Sequence, residues 1–331
     1  MDHQAVLELL CASAEYDDLP VRHNEDKVNA MMATQVPWQV DTRSADDPHT
    51  KANLLLQFHF SRFPLPMTDF ATDTRSVLDN CVRIVQAMVD VAADAGWLDT
   101  TLSVMNLMQM LMQARWLTDH SATCLPHVSH DVAGQLEARG IRCTPQLCDM
   151  LNRSGGQDKV TKLLQECGVA RHKTQETVKI IQRLPLVTIR CEVNQGKSSE
   201  DDVMIKVHIT RDSPVLTKKG RGSQMAYTPR FPKMKEEGWW VVLGDKETHE
   251  LHALKRLGFS GRSTVCQVAC HPEALQGELT LFLMSDVYMG LDQEVDLSTR
   301  GSSKSAGGLP QRGLQSRRKG AAQGKAQQTD A

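Results

Sequence analysis

The hydrophobic period of the 331-residue chain changes once, near Leu186, and that change constrains the fold more than any other feature. Before it, apolar residues recur at helical spacing. After it, they alternate. A 3.6-residue period buries one stripe of a helix, and a two-residue period buries one face of a strand. The chain is therefore predicted to be multidomain, α first and then β.

Within residues 1–128 the pattern predicts a helical bundle. A short amphipathic segment covers residues 6–13. Asp47-Pro48 reads as an N-cap followed by proline at the first helical position. The helix it opens carries Leu54, Leu55, Phe58 and Phe60 and stops before Pro64 and Pro66. A long helix is predicted over 72–95, with Val77, Leu78, Cys81, Val82, Ile84, Val85, Met88, Val89 and Ala92 on its apolar side. A third starts after Asp99. Its methionines Met105, Met108, Met110 and Met112 read as core filler. Over 129–185 the helices become shorter and more polar, punctuated by Gly140, Thr144-Pro145 and Ser154-Gly155-Gly156.

Residues 186–297 hold roughly seven short strand patterns, which suggests a fibronectin type III-like or immunoglobulin-like sandwich. A basic loop, 217–238, interrupts them. Residues 298–331 are rich in Gly, Ser, Gln and Ala, with seven basic residues and one acid. They are expected to be a disordered basic tail. The whole chain has a formal charge of −2, so about −8 remains without the tail. A strong nonspecific grip on phosphate is not implied by composition. No apolar stretch approaches the ~20 residues of a membrane span, and no secretory signal is visible. Nine scattered cysteines read as reduced thiols of a nuclear or cytosolic protein.

Catalytic and metal motifs fail on inspection. Gly196-Lys197-Ser198 resembles the end of a phosphate-binding loop, but the first glycine is replaced by Cys191 and the segment lies between strands. A polar hairpin loop is the better reading. Cys266, Cys270 and His271 lack the second ligand pair of a zinc site, and positions 266 and 270 share one strand face. His23, Glu25, Asp26 and His49 form a loose polar cluster, read as a charged loop ending in a helix cap. The long helix is more informative. Arg75, Asp79, Arg83, Gln86 and Asp90 make one polar stripe, flanked by Ser76 and Asn80. Two readings stand: the solvent face of a bundle helix, or a surface that touches a nucleic-acid strand through Arg and amide side chains.

Ordered blocks then add a resemblance. They are residues 14–26 (Ala-Glu-Tyr-Asp-Asp-Leu-Pro-Val-Arg-His-Asn-Glu-Asp), Asp47-Pro48-His49-Thr50-Lys51 with residues 54–57, and residues 86–91 with Gly96-Trp97-Leu98. Later come Pro229-Arg230-Phe231-Pro232, Glu237-Gly238-Trp239-Trp240, Met284-Ser285-Asp286 and residues 288–293. The chain resembles the Sec-sixty-three domain of Ski-two-like helicases over residues 7–297. The resemblance implies a helical bundle (1–128), a helix-loop-helix (129–185) and a fibronectin-like sandwich (186–297). It implies that helix 72–95 acts as a ratchet beneath the motor, with Arg75, Asn80, Arg83 and Gln86 facing the strand.

The family domain begins before Met1, so the chain is expected to be a fragment whose bundle lacks its first helix. The implied role is a noncatalytic accessory module of an ATP-dependent helicase. The chain itself needs no cofactor; ATP and magnesium belong to the parent. Implied partners are single-stranded DNA or RNA, the parent's motor domains and other complex subunits, in a nuclear or cytosolic setting, with no membrane. The alternative is a protein-interaction scaffold without nucleic-acid contact. A translocation protein sharing this domain should bring membrane spans and a His-Pro-Asp motif, and neither occurs.

Overall fold

The computed structural model describes residues 1–194, 202–212, 225–258 and 261–297. The Gly196-Lys197-Ser198 triplet, part of the basic loop and the expected tail lie outside the described residues. The helices run α1 His3–Cys11, α2 Glu25–Ala33, α3 Pro48–Ser61, α4 Thr68–Asp94, α5 Leu98–Gln113, α6 His130–Ala138, α7 Thr144–Asn152, α8 Gly156–Glu166 and α9 Arg171–Arg183. The strands are β1 Val187–Asn194, β2 Val203–Arg211, β3 Trp239–Asp245, β4 Leu251–Leu257, β5 Ser263–Cys270, β6 Leu279–Ser285 and β7 Gln293–Asp296. The fold is thus mixed, helical first and antiparallel β second. No helix among the described residues is long and apolar enough to cross a membrane.

Helix α5 organises the helical part. Every residue from Thr101 to Gln113 is buried, as expected of a helix surrounded by protein on all sides. Helices α1, α3 and α4 pack around it, and its four methionines are fully buried. Arg62 caps its C-terminal end, and Arg115 ties that end to the turn Ser121–Cys124. Arg62 donates from Nε to Ala114 O and from Nη2 to Gln113 O, both at 2.9 Å. Arg115 donates from Nε and Nη2 to Thr123 O. Cations placed on the carbonyl end of a helix satisfy its orphan acceptors and its dipole.

Helix α3 starts as its sequence predicts. The Asp47 carboxylate accepts from Thr50 N at 2.7 Å, with Pro48 in the first turn. Two expectations need correction. Helix α4 begins at Thr68, a full turn before the predicted start at 72. Met67 is extended (φ −146°, ψ 160°) and ends the Pro64–Pro66 segment, while fully buried Phe70 anchors the additional turn. The charged segment around His23 and Glu25 is no simple loop either. Asn24 turns the chain at φ 66° and α2 begins at once.

The strands form two antiparallel sheets, ordered β1-β2-β5 and β4-β3-β6-β7. Strand β2 alternates as its sequence predicts, with Val203, Ile205, Val207 and Ile209 buried. Across from it, Cys270, Val268 and Cys266 pair with Val203, Ile205 and Val207. Both cysteines are buried core residues. Strands β3 and β6 are buried on both sides along their whole length, and on the helical side α5 packs against β6 and α4 against β4.

Side-chain hydrogen bonds tie α5 to that sheet. Gln109 Nε2 donates to Ser285 O (2.8 Å) and Asp292 Oδ1 (2.9 Å), and Gln113 Nε2 donates to Val287 O (3.0 Å) and Tyr227 O (3.2 Å). Burial pushes the Asp292 carboxyl up to about 7, against hydrogen bonds from Ser285 N and Gln109.

Asp286, almost fully buried, ties the end of β6 to the segment before β3. It accepts from Gly238 N at 2.7 Å and from Lys235 Nζ at 2.8 Å. A Cβ at Gly238 would lie 2.5 Å from Asp286 Oδ2. The carboxylate is pinned and cannot retreat. Gly238→Ala is therefore expected to cost about 1–3 kcal/mol, in line with overpacked cores. A urea titration showing a loss below about 0.5 kcal/mol would contradict that.

Candidate nucleic-acid interface

The polar stripe lies on α4, whose other side carries Val77, Leu78, Cys81, Ile84, Val85, Val89 and Ala92 into the core. The four residues assigned to the strand do not share one environment. Arg75 is exposed. Arg83 is also exposed, and its Nη2 lies 2.9 Å from Glu15 Oε1 in the turn after α1. Asn80 is half-buried and donates to Ser76 O within its own helix at 3.3 Å. Gln86 is half-buried and turned toward the sheet. In the amide orientation its neighbours require, its oxygen accepts from Arg256 Nη2 and Nη1 at 2.9 and 3.0 Å.

Asp79, two turns before Gln86, also turns to the β part, where Lys233 Nζ lies 3.1 Å from its Oδ1. One edge of the stripe therefore grips the β part of the molecule. The other edge leaves Arg75 and Arg83 in solvent. Chemically, that edge offers exposed guanidinium groups able to bind phosphate and no nucleophile or acid-base pair. Among the described residues, no group of three His, Cys, Asp or Glu is arranged to hold a metal.

Under α4 sits a buried ion cluster that carries the sequence blocks of residues 14–26 and 47–51. Lys51 is fully buried. Its Nζ donates to Pro20 O (2.6 Å), Glu25 Oε2 (2.6 Å) and Asp73 Oδ2 (2.7 Å), and lies 4.7 Å from the centre of the Phe70 ring. Arg22 bridges the same two carboxylates, at 2.9 Å to Glu25 and at 2.6 and 3.1 Å to Asp73. Burial pushes the Glu25 carboxyl up, but hydrogen bonds from Lys51 and Arg22 outweigh it and hold the group below the usual carboxylate range. Asp73 behaves alike: burial opposes, and Arg22 and Lys51 prevail. The cluster joins the loop before α2 to α3 and to the first turns of α4.

His49 adds a further tie, with Nδ1 2.8 Å from Cys11 O and Nε2 3.1 Å from Asp17 Oδ1. His23 and Asp26 remain exposed. The loose polar cluster of the sequence is thus split: Glu25 and His49 fasten the bundle, and the other two face solvent.

The family of Sec63 Brl domains matches residues 1–298 of the chain. The chain belongs to this family. Curated relatives match the chain over a small part of much longer proteins. The human activating signal cointegrator 1 complex subunit 3 is 36% identical over 333 residues, covering 89% of this chain and 15% of that protein. The DExH-box ATP-dependent RNA helicase DExH14 of Arabidopsis thaliana is 38% identical, covering 88% and 13%. The human U5 small nuclear ribonucleoprotein 200 kDa helicase is 32% identical, covering 89% and 13%. The chain spans about one seventh of the length of these relatives.

Sequence reasoning missed three residues of this Sec63 Brl domain that meet α4 or hold it in place: Lys233, Arg256 and the buried Lys51. The first two come from the β part, far from α4 in sequence, and no periodicity links them to the stripe. Lys51 did carry a signal. It falls inside an ordered block of the family, on the buried side of a helix, where a lysine requires a partner.

Proposed function

We propose that this Sec63 Brl domain is a noncatalytic accessory module of an ATP-dependent nucleic-acid helicase, and that α4 guides the translocating strand. The observation that carries the reading is the free edge of α4. Arg75 and Arg83 stand exposed on a long helix whose first turns are fixed from below by the buried ion cluster. A rigid helix presenting cations two turns apart suits a single strand read through its phosphates. Asn80 and Gln86 complete the proposed contact by moving off their present partners when the strand arrives.

The reading divides the molecule into a bundle (1–128), a helix-loop-helix (129–185) and a sandwich of fibronectin type III type (186–297). The strand order β1-β2-β5 facing β4-β3-β6-β7 supports the last of these. ATP and magnesium act on the parent's motor, which this domain would serve from beneath. Other complex subunits would dock on the sandwich, in the nucleus.

Unwinding by the intact helicase tests the proposal. Arg75→Ala with Arg83→Ala is expected to slow unwinding about tenfold or more, the effect of losing roughly 1.4 kcal/mol of strand contact, with the melting temperature unchanged. Unwinding at the parental rate would refute it. A second reading, a protein scaffold without strand contact, is favoured by one observation: the charge of about −8 outside the tail. It predicts that complex subunits are retained after nuclease treatment and that the alanine variants unwind normally.

A further inference from the structure

The polar stripe of α4 does not stand alone. Lys233 meets Asp79 at 3.1 Å. Arg256, on β4, meets Gln86 two turns further along α4. Next to Lys233 in the chain is Met234, which is 83% exposed, the highest value among the exposed large apolar side chains described. Its segment is well anchored. Ala226 N donates to Lys235 O at 2.8 Å, Met225 bridges Glu236, and Phe231 is buried. Lys235 is held by Asp286, which also meets Arg256 at 3.4 Å. The Arg256 guanidinium lies 5.9 Å from the Trp240 ring centre. One carboxylate thus serves two cations, and Gln86 gives Arg256 a neutral partner. The cations here outnumber the acids they touch.

The anchored turn gains no burial from Met234, so packing within the described fold gives this position between two lysines no specific reason to be methionine. A single strand supplies one. Its phosphates suit Lys233 and Arg256, and its unpaired bases offer an apolar face to a polarizable thioether.

We infer that Lys233, Met234 and Arg256 form the second wall of the strand path on α4, contributed by the β part of the domain. The inference rests on the reading of α4 as a strand guide and adds the sheet-side residues to it. Lys233 and Arg256 bind phosphates, releasing Asp79 and Gln86. Met234 packs on a base without reading its identity.

The test is photo-crosslinking and anisotropy with the full chain and a labelled single-stranded oligonucleotide, as DNA and as RNA. A benzophenone amino acid replaces Met234. Lys233→Gln and Arg256→Gln are measured separately, with Lys233→Arg as the charge-preserving control and thermal melts to confirm folding. The expected result is a crosslink at position 234. Each glutamine variant should weaken binding roughly three- to tenfold, with a salt slope shallower by about 0.7 for each lost phosphate contact. Lys233→Arg should restore the affinity.

If Arg75 and Arg83 variants weaken binding but position 234 does not crosslink and both glutamine variants bind normally, the second wall is refuted and the α4 reading survives. If variants on both walls bind as the parent does, both readings fall. A crosslink from position 234 to a protein subunit, with none to the oligonucleotide, also overturns the inference.

Discussion

Replacing Lys51 by methionine is expected to destabilise the domain by about 3–5 kcal/mol, the usual cost of removing one partner from a buried ion cluster. Methionine fills a similar volume, so packing changes little. What disappears is one ammonium serving Pro20 O, Glu25 and Asp73. Those two carboxylates are almost fully buried, and Arg22, their remaining partner, is itself 39% exposed. Two buried anions would then share one partly solvated cation. A chemical denaturation midpoint that moves by less than about 1 kcal/mol would contradict this account of the cluster.

Acid provides an independent check. Glu25 and Asp73 have folded-state values held below the ordinary carboxylate range. A depressed carboxylate contributes stability above its unfolded value, about 4, and loses it as pH falls through the folded value. Stability should therefore fall away below about pH 4. In Lys51→Met the loss on acidification should be smaller, since the ammonium that lowers both groups is gone and their folded values lie nearer to, or above, the unfolded one.

Much of this fold is legible in the sequence, for identifiable reasons. The period change at Leu186 separates helices from strands because side-chain direction depends only on local backbone geometry. The Asp47-Pro48 start of α3 is legible because capping is local. The methionine run of α5 is legible as core because its polar neighbours are few. Helix α2 was missed: its residues are too polar to show a stripe, and it is held by Glu25, a buried charge whose partners are Lys51 on α3 and Arg22 in the preceding loop. The early start of α4 was missed because burial of Phe70 is a tertiary event.

The candidate site divides along the same line. The stripe of Arg75, Asp79, Arg83 and Gln86 was visible as helical spacing. Its division into a gripping edge and a free edge was not. That division depends on Lys233 and Arg256, more than a hundred residues away, being brought alongside by the sheet.

The second large effect concerns the strand itself, and it is read most directly on this chain by fluorescence anisotropy. A labelled single-stranded oligonucleotide is titrated with the parent and with the double variant Arg75→Glu, Arg83→Glu, across a range of salt. Both side chains lie on the exposed edge of α4, and among the described residues Arg83 is paired with Glu15 in the turn after α1. Reversal should leave the fold intact, which thermal melts confirm.

Removing two cations and adding two anions removes two phosphate contacts and adds repulsion. The account predicts at least about tenfold weaker binding, or about 1.4 kcal/mol. It also predicts a log-log salt slope shallower by about 1.4, since each single-strand phosphate contact contributes about 0.7. A folded double variant that binds the oligonucleotide with the parent's affinity and the parent's salt slope would show that α4 does not touch the strand.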